Sequence, residues 1–334
     1  MSDLEREQQA VQRMLARERL GIDTFERGRT SFLSHLGAWD SLVPGPWIAH
    51  RELIYALALA NLSPQKRSAL AKSVVVDWER EFGVGRLVLR ALKSELPLGG
   101  SSLHLAPRSD DGLACLYTWA LGPGAQTAQC DWLLLRAQPE WAIAPRPRPM
   151  TARGLETLVG IGGEVVVALP SAVAARQVAD LVRDRLPWTA HPRFAPHLHD
   201  ASELDENGEA RSSAVAAANS VDGRLYLWPH DQLNSPKLRG RDVTTLVLVG
   251  ATEAERQRAE RWAASYPRIE VVDAACPGRM TRAQLLNFWR GCGSPKVLLR
   301  GDPAWTGAAA TWLESEGVAV ARQSKGTQLG LFGA

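Results

Sequence analysis

The sequence predicts an α/β protein whose second half is a doubly wound parallel sheet, preceded by a helical region and a small antiparallel β region. Three observations predict it. Continuous apolar runs such as EVVVALP (164–170), TTLVLVG (244–250) and KVLLRG (296–301) read as strands buried on both faces. Amphipathic stretches alternate with these runs, as parallel strands covered by helices require. Upstream, SSLHLAP, ACLYTWAL and CDWLLLRA are short runs set off by Asp-Asp-Gly and Gly-Pro-Gly, the punctuation of antiparallel strands.

Taken in order, residues 1–97 read as a helical region. Apolar residues recur at helical spacing in 4–20, 48–60 and 64–80, and Ser63 before Pro64 is a capping signal for the third helix. Residues 98–143 form the small β region. The prolines of APRPRPM deny the backbone its donors, so 144–150 is expected to be a stiff linker. The α/β domain is expected over 151–323. Its first strand, EVVVALP, leads into a helix with Val173, Val178, Leu181, Val182 and Leu186 on one face. RLYLWP (224–229) and TTLVLVG follow, then a helix whose Thr252 and Glu255 suit a capping box. IEVVDA (269–274), the helix TRAQLLNFWRGC, KVLLRG, a helix through TWLESEG and VAVARQ (318–323) complete the alternation. Residues 324–334 are expected to be a tail.

Composition narrows the function. The chain has 334 residues, 45% hydrophobic, enough for real cores. No run of about 18 apolar residues suggests a membrane span, and the charged start MSDLEREQQAVQRMLARERL is unlike a secretory signal, so a cytoplasmic, non-membrane protein is expected. The cysteines, Cys115, Cys130, Cys276 and Cys292, are scattered without a C-x-x-C pair and read as reduced thiols. The net charge of +3 permits nucleic-acid binding without arguing for it. Most of the 12 tryptophans are expected in cores.

Catalytic signals are thin. A phosphate-binding sheet places glycines between its first strand and helix, whereas Ala168-Leu169-Pro170-Ser171 has none, and the glycines of GIGGEVV (160–166) precede the strand and suit a turn. There is no G-x-x-x-x-G-K-[ST] and no G-x-S-x-G, and Cys292 has no base identifiable in sequence. His191, His197, His199 and Asp200 are metal-capable types, but two prolines and an acidic neighbouring stretch favour a polar loop over a metal site. Asp273, Asp302 and Glu253 lie near strand ends, where a metal-dependent nuclease would hold carboxylates, yet Asp302 before Pro303 suits a helix cap. No cofactor, metal or catalytic residue is assigned. Lys237, Arg239 and Arg241, with Arg279, Arg282 and Arg290, are the residues that would form a DNA-contacting positive edge on the sheet.

Residues 165–317 resemble the RecA-like motor lobe of superfamily 2 helicases, most nearly the second lobe of the DinG and XPD type. VVVALPSAVAARQVADLVRDRL is similar to the lobe's opening strand and helix, RLYLWPHDQLNSPKLRGRDVTTLVLVGA to the elements that contact DNA and nucleotide, and QLLNFWRGCGSPKVLLRGDP to the surroundings of the arginine finger. The family's Q-x-x-G-R-x-x-R signature is not kept. Gln284 is followed by Asn287, Phe288 and Gly291, and Arg290 stands one residue out of register. TTLVLVGATEAER has glycine and alanine where D-E-x-H would stand. The resemblance implies a lobe that has lost its chemistry and kept a DNA or protein surface. An ordinary doubly wound domain is the alternative.

The chain ends QSKGTQLGLFGA. Gln328, Leu329, Leu331 and Phe332 match the four defining positions of the bacterial sliding-clamp-binding peptide, Q-L-(S or D)-L-F, which this segment resembles, with Gly330 in place of the polar residue. Leucine and phenylalanine suit an apolar pocket, with glutamine making polar contacts beside them. The resemblance implies the DNA polymerase sliding clamp as a partner, DNA nearby, and a polymerase, helicase or nuclease in the same assembly. The function expected is a non-catalytic accessory factor of DNA repair or replication. A helicase subunit, a metal-dependent nuclease and an interaction protein without a DNA role remain as alternatives.

Overall fold

The computed structural model describes residues 3–23, 29–37, 47–59, 63–109, 112–142, 147–198, 202–204, 210–212 and 224–322. It is a mixed α/β fold, and the chain divides into two compact units, one of residues 1–143 with 279–334 and one of residues 144–278.

The first unit opens with α1 (Asp3–Arg17), which buries Val11 and Leu15, and continues through β1 (Leu20–Ile22), β2 (Thr30–Leu33), β3 (Trp47–His50), α2 (Arg51–Leu59), α3 (Pro64–Ala71) and β4 (Val74–Val76). The four strands form a parallel sheet in chain order. Ser63 caps α3 as expected, its Oγ accepting from Lys66 N at 3.4 Å. The expectation of a purely helical region is corrected here, because strands of three or four residues show no periodicity long enough to read. β5 (Glu81–Val84) and β6 (Leu87–Lys93) also fall inside the expected helical region and correct it further. β7 (Ser101–Pro107) and β8 (Cys115–Thr118) pair antiparallel, as the turn signals indicate, and β6 and β5 extend the same sheet in antiparallel fashion. β9 (Trp132–Arg136) then pairs with β8 in parallel, Cys115 opposite Trp132, and α4 (Pro139–Ala142) follows.

The second unit contains β10 (Arg148–Pro149), α5 (Ala152–Gly160), β11 (Glu164–Leu169), α6 (Ala172–Val182), β12 (Trp188–Ala190), β13 (Ser202–Leu204), β14 (Ala210–Ser212), β15 (Arg224–Pro229), β16 (Val243–Val249), α7 (Glu253–Ala263) and β17 (Glu270–Ala275). Its sheet runs β10-β17-β16-β11-β15-β12 in parallel, then β14 and β13 antiparallel at one edge. Part of the expected linker is thus an edge strand, which tolerates Pro149 because an edge position leaves its missing donor unneeded. Val165, Val167 and Leu169 point into one core and Val166 and Ala168 into the other, which is why β11 is apolar throughout. Of the stripe expected along α6, Val173, Val178, Val182 and Leu186 are buried and Leu181 is partly buried against the same core. Gly162 and Gly163 have φ of 94° and 100°, and a Cβ on Gly163 would lie 2.3 Å from Thr244 Cγ2, so the turn requires glycine.

The chain then returns to the first unit with α8 (Arg282–Gly291), β18 (Lys296–Arg300), α9 (Pro303–Ser315) and β19 (Val320–Arg322). β18 lies between β9 and β19, parallel to both, with Val297 opposite Leu133 and Val320. The expected single domain over 151–323 is corrected accordingly. An apolar strand flanked by helices satisfies any parallel sheet, so its partner is chosen by long-range packing, which periodicity does not encode. Alternate β9 residues fill two cores, Leu134 one and Leu133 and Leu135 the other. Among the described residues no helix is long and apolar enough to cross a membrane.

Candidate functional site

Ligands of α/β sheets gather outside the carboxyl ends of parallel strands. In the first unit several polar residues at or just past strand ends are buried, among them Asp23, Ser34, His35, His50 and Thr118. Asp23 follows β1 with φ of 52° and is 2% exposed, a combination of left-handed backbone and buried charge that functional sites favour. Its carboxylate accepts from Ser34 N at 2.8 Å and Tyr117 OH at 2.8 Å, and also from Ser34 Oγ. His35 Nδ1 lies 3.5 Å from Asp23 Oδ2 and 3.0 Å from Ser34 Oγ. Burial pushes the Asp23 carboxyl up, but His35 and the Ser34 donors more than offset it and hold it below the usual range. Burial lowers His35, and Asp23 recovers only part of that against Arg136 and Arg279, so the ring is neutral at pH 7. The Ser34 hydroxyl donates to the carboxylate, and both meet the same imidazole nitrogen. In a Ser-His-Asp relay the ring stands between acid and hydroxyl, so this arrangement is not one.

Trp119, just beyond β8, joins the group to a set of cations. His35 stacks on it with centroids 4.1 Å apart, and the Arg136 guanidinium sits 3.8 Å from its ring. Arg136 ends β9 and Arg300 ends β18. Burial lowers the Arg136 guanidinium to about 10, with Tyr117 acting to raise it and Arg279 and Arg300 to lower it further. Burial also lowers Arg300, against Tyr117 and Asp23. Arg279 Nη1 is buried without a hydrogen-bond partner. Gly301, at φ 115°, leaves room here, since a Cβ on it would lie 3.3 Å from Arg136 Cγ. A locked carboxylate, a neutral imidazole and three guanidinium groups suit the binding of an anion.

The second unit closes the corresponding edge with its own side chains. β11 lies between β15 and β16, so the chain changes side there and the ends of these strands form the switch point. His230, 6% exposed, occupies it, with Nε2 3.0 Å from Ala168 O and Nδ1 3.3 Å from Glu255 Oε1. Burial raises the Glu255 carboxyl, but His230 and Thr252 bring it down to about 2. The expected capping box is present, Glu255 N donating to Thr252 Oγ1 at 3.3 Å and Thr252 N to Glu255 Oε2 at 2.8 Å. Ser171 Oγ accepts from Ala174 N at 3.3 Å at the start of α6.

The carboxylates weighed for catalysis have structural partners. Asp273 receives both terminal nitrogens of Arg256 at 2.6 and 2.7 Å, and Asp302 caps α9 by accepting from Ala304 N at 2.9 Å. Glu253 stands in the first turn of α7. His191 meets Trp228 edge-on at 4.7 Å and accepts from Arg193 N, His197 is 5% exposed, and His199 and Asp200 lie outside the described residues. Among the described residues no three of His, Cys, Asp or Glu are grouped to hold a metal ion. None of the four cysteines is in a disulfide, and Cys115, Cys276 and Cys292 are buried.

The basic residues expected on one sheet edge are divided. Lys237, Arg239 and Arg241 belong to the second unit and Arg279, Arg282 and Arg290 to the first. Lys237, Arg239 and Arg290 are exposed. Arg241 packs 4.4 Å from the Tyr226 ring and donates to Lys237 O at 2.7 Å. Arg282 donates from Nε to Trp141 O at 2.9 Å and lies 4.9 Å from the Trp312 ring. Of the six, Arg279 alone joins the Asp23 cluster. Gln328, Leu329, Leu331 and Phe332 lie outside the described residues. Sequence reasoning missed Asp23, His35, Trp119, Arg136 and Arg300. Their signal was a polar residue closing each apolar run, as in LGID and LLLR, and it becomes meaningful only once those runs are known to end side by side.

No protein-family model matches the chain, and no curated protein matches it. Among solved structures it is similar to a protein of unknown function from Enterococcus faecalis V583, with a TM-score of 0.51 and 12% identity over 81% of this chain and 74% of that one. At that identity the likeness concerns the fold alone.

Proposed function

We propose that the chain is a non-catalytic accessory factor of bacterial DNA repair or replication, brought to the DNA polymerase sliding clamp by its terminal peptide. The observation that carries this reading is the match of Gln328, Leu329, Leu331 and Phe332 to the clamp-binding pattern. An apolar pair beside a glutamine supplies the anchors and the polar contact that a peptide groove takes. The α/β body serves as a platform for DNA or a partner protein, with the exposed Lys237 and Arg239 of its second unit as phosphate contacts. The non-catalytic part of the reading is supported by the strand-to-helix junction of the second unit. It lacks glycines, and His230 holds the Ala168 carbonyl where a phosphate loop would otherwise approach.

Capture of the purified chain on immobilised clamp tests the reading. The intact chain is expected to bind and the Leu331→Ala/Phe332→Ala variant to lose binding; equal capture of both sinks the clamp assignment. ATPase and nuclease assays on clamp-loaded DNA are expected to show no turnover, and robust turnover by the purified chain would replace the accessory role with an enzymatic one.

A further inference from the structure

We propose that the carboxyl edge of the first unit binds a phosphate group, held by Arg136, Arg279 and Arg300 beside His35. Four features of the molecule lead there. Arg136 and Arg300 are directly paired residues at the ends of β9 and β18, and Met280 N donates to Leu121 O at 3.0 Å, which ties the chain entering α8, with Arg279, to the segment that carries Trp119. One terminal nitrogen of Arg279 is buried without a hydrogen-bond partner, a state that costs free energy unless a ligand supplies the acceptor. The carboxylate present is already committed. Asp23 takes three hydrogen bonds from Ser34 and Tyr117 and faces His35, and its strained backbone fixes it there. Burial of like charges is also unfavourable for Arg136, which is lowered while Arg279 and Arg300 stand near it.

Phosphate is the class that suits these groups. A dianion with three terminal oxygens can accept from several planar guanidinium forks at once, which a carboxylate with two oxygens does less well. The phosphate is either free or the terminal monoester of a nucleic acid strand. The inference is independent of the clamp reading, because the tail plays no part in it.

The test uses the full chain. Thermal unfolding and titration calorimetry are followed with sodium phosphate, with sodium acetate and chloride at matched ionic strength, and with a short single strand carrying either a 5′-phosphate or a 5′-hydroxyl. Saturable stabilisation by phosphate beyond both control salts is expected. Arg279→Gln is expected to weaken it at least about tenfold, the loss of one charge-assisted contact. Arg279→Lys is expected to fall between Arg279→Gln and the native chain. Tighter binding of the phosphorylated strand than of free phosphate assigns the group to a strand end, and equal binding of the two strands with saturable phosphate assigns it to free phosphate. No saturable response to phosphate, an equal response to acetate, or an Arg279→Gln chain that responds like the native one overturns the proposal. A second readout needs no variant. Phosphate beside the imidazole offsets the arginines, so the titration of His35 followed by NMR is expected to move up when phosphate is added, and an unmoved His35 also overturns it. Capture of Arg279→Gln by the clamp is expected to be unchanged, which separates the fate of this proposal from that of the clamp assignment.

Discussion

Asp23 is the residue on which the first unit's polar edge depends. Its carboxylate joins the parallel sheet, through Ser34, to the mixed sheet, through Tyr117. Asp23→Asn keeps the shape but turns an amide nitrogen toward groups that donate, leaving a buried donor without an acceptor. A loss of about 1–3 kcal/mol in urea unfolding is expected. His35 sets a pH dependence. Its folded-state value lies below the ordinary one, so between the two the unfolded chain binds more protons, and stability rises with pH across that window. The contribution is complete above about pH 6.5 and is lost as the solution is acidified below it. His50 and His104, lowered chiefly by burial, act in the same direction. His35→Gln is therefore expected to flatten part of the slope of unfolding free energy between about pH 5 and 7. A slope unchanged by the substitution would show that His35 is not buried in its neutral form.

At the scale of elements, helix starts were the most legible feature. Ser63, Thr252 and Asp302 all cap where the sequence places them, because a capping side chain reaches only the next two or three amides and needs no tertiary partner. Asp302 accepts from both Ala304 N and Trp305 N at the head of α9. Asp302→Ala is expected to lower stability by about 1 kcal/mol, measured as a shift in urea midpoint at constant slope. The short strands β1 to β4 were not legible. Stretches such as TSFL and WIAH are too brief to show a period and are strands only because their neighbours supply the ladder. WLLLR and KVLLR are apolar in the manner of doubly covered strands, yet nothing in either names the other as its neighbour.

At the scale of the whole molecule, the chain leaves one unit near residue 144 and re-enters it at residue 279. Each unit has its own pair of cores, so each should report its own perturbation. Leu134→Ala in the first unit and Leu227→Ala in the second each remove a fully buried side chain, at a cost of about 2–5 kcal/mol. In hydrogen exchange followed by mass spectrometry, Leu134→Ala is expected to lower protection in 1–143 and 279–322 together, including β18. Loss confined to residues before 144 would contradict the pairing of β9 with β18.

The sequence by itself determined the α/β class and the positions of most helices and of the longer strands. Those features rest on local physics: capping reach, side-chain period and the identity of consecutive residues. Only the tertiary structure decided which sheet received β18 and β19, and that Asp23, His35, Trp119, Arg136, Arg279 and Arg300 meet at one edge. Asp23 and Arg300 are 277 positions apart in the numbering, and strand pairing alone brings such residues together. The physical reason is that parallel pairing is a long-range choice among nearly equivalent apolar strands, and the polar site at their ends exists only after that choice has been made.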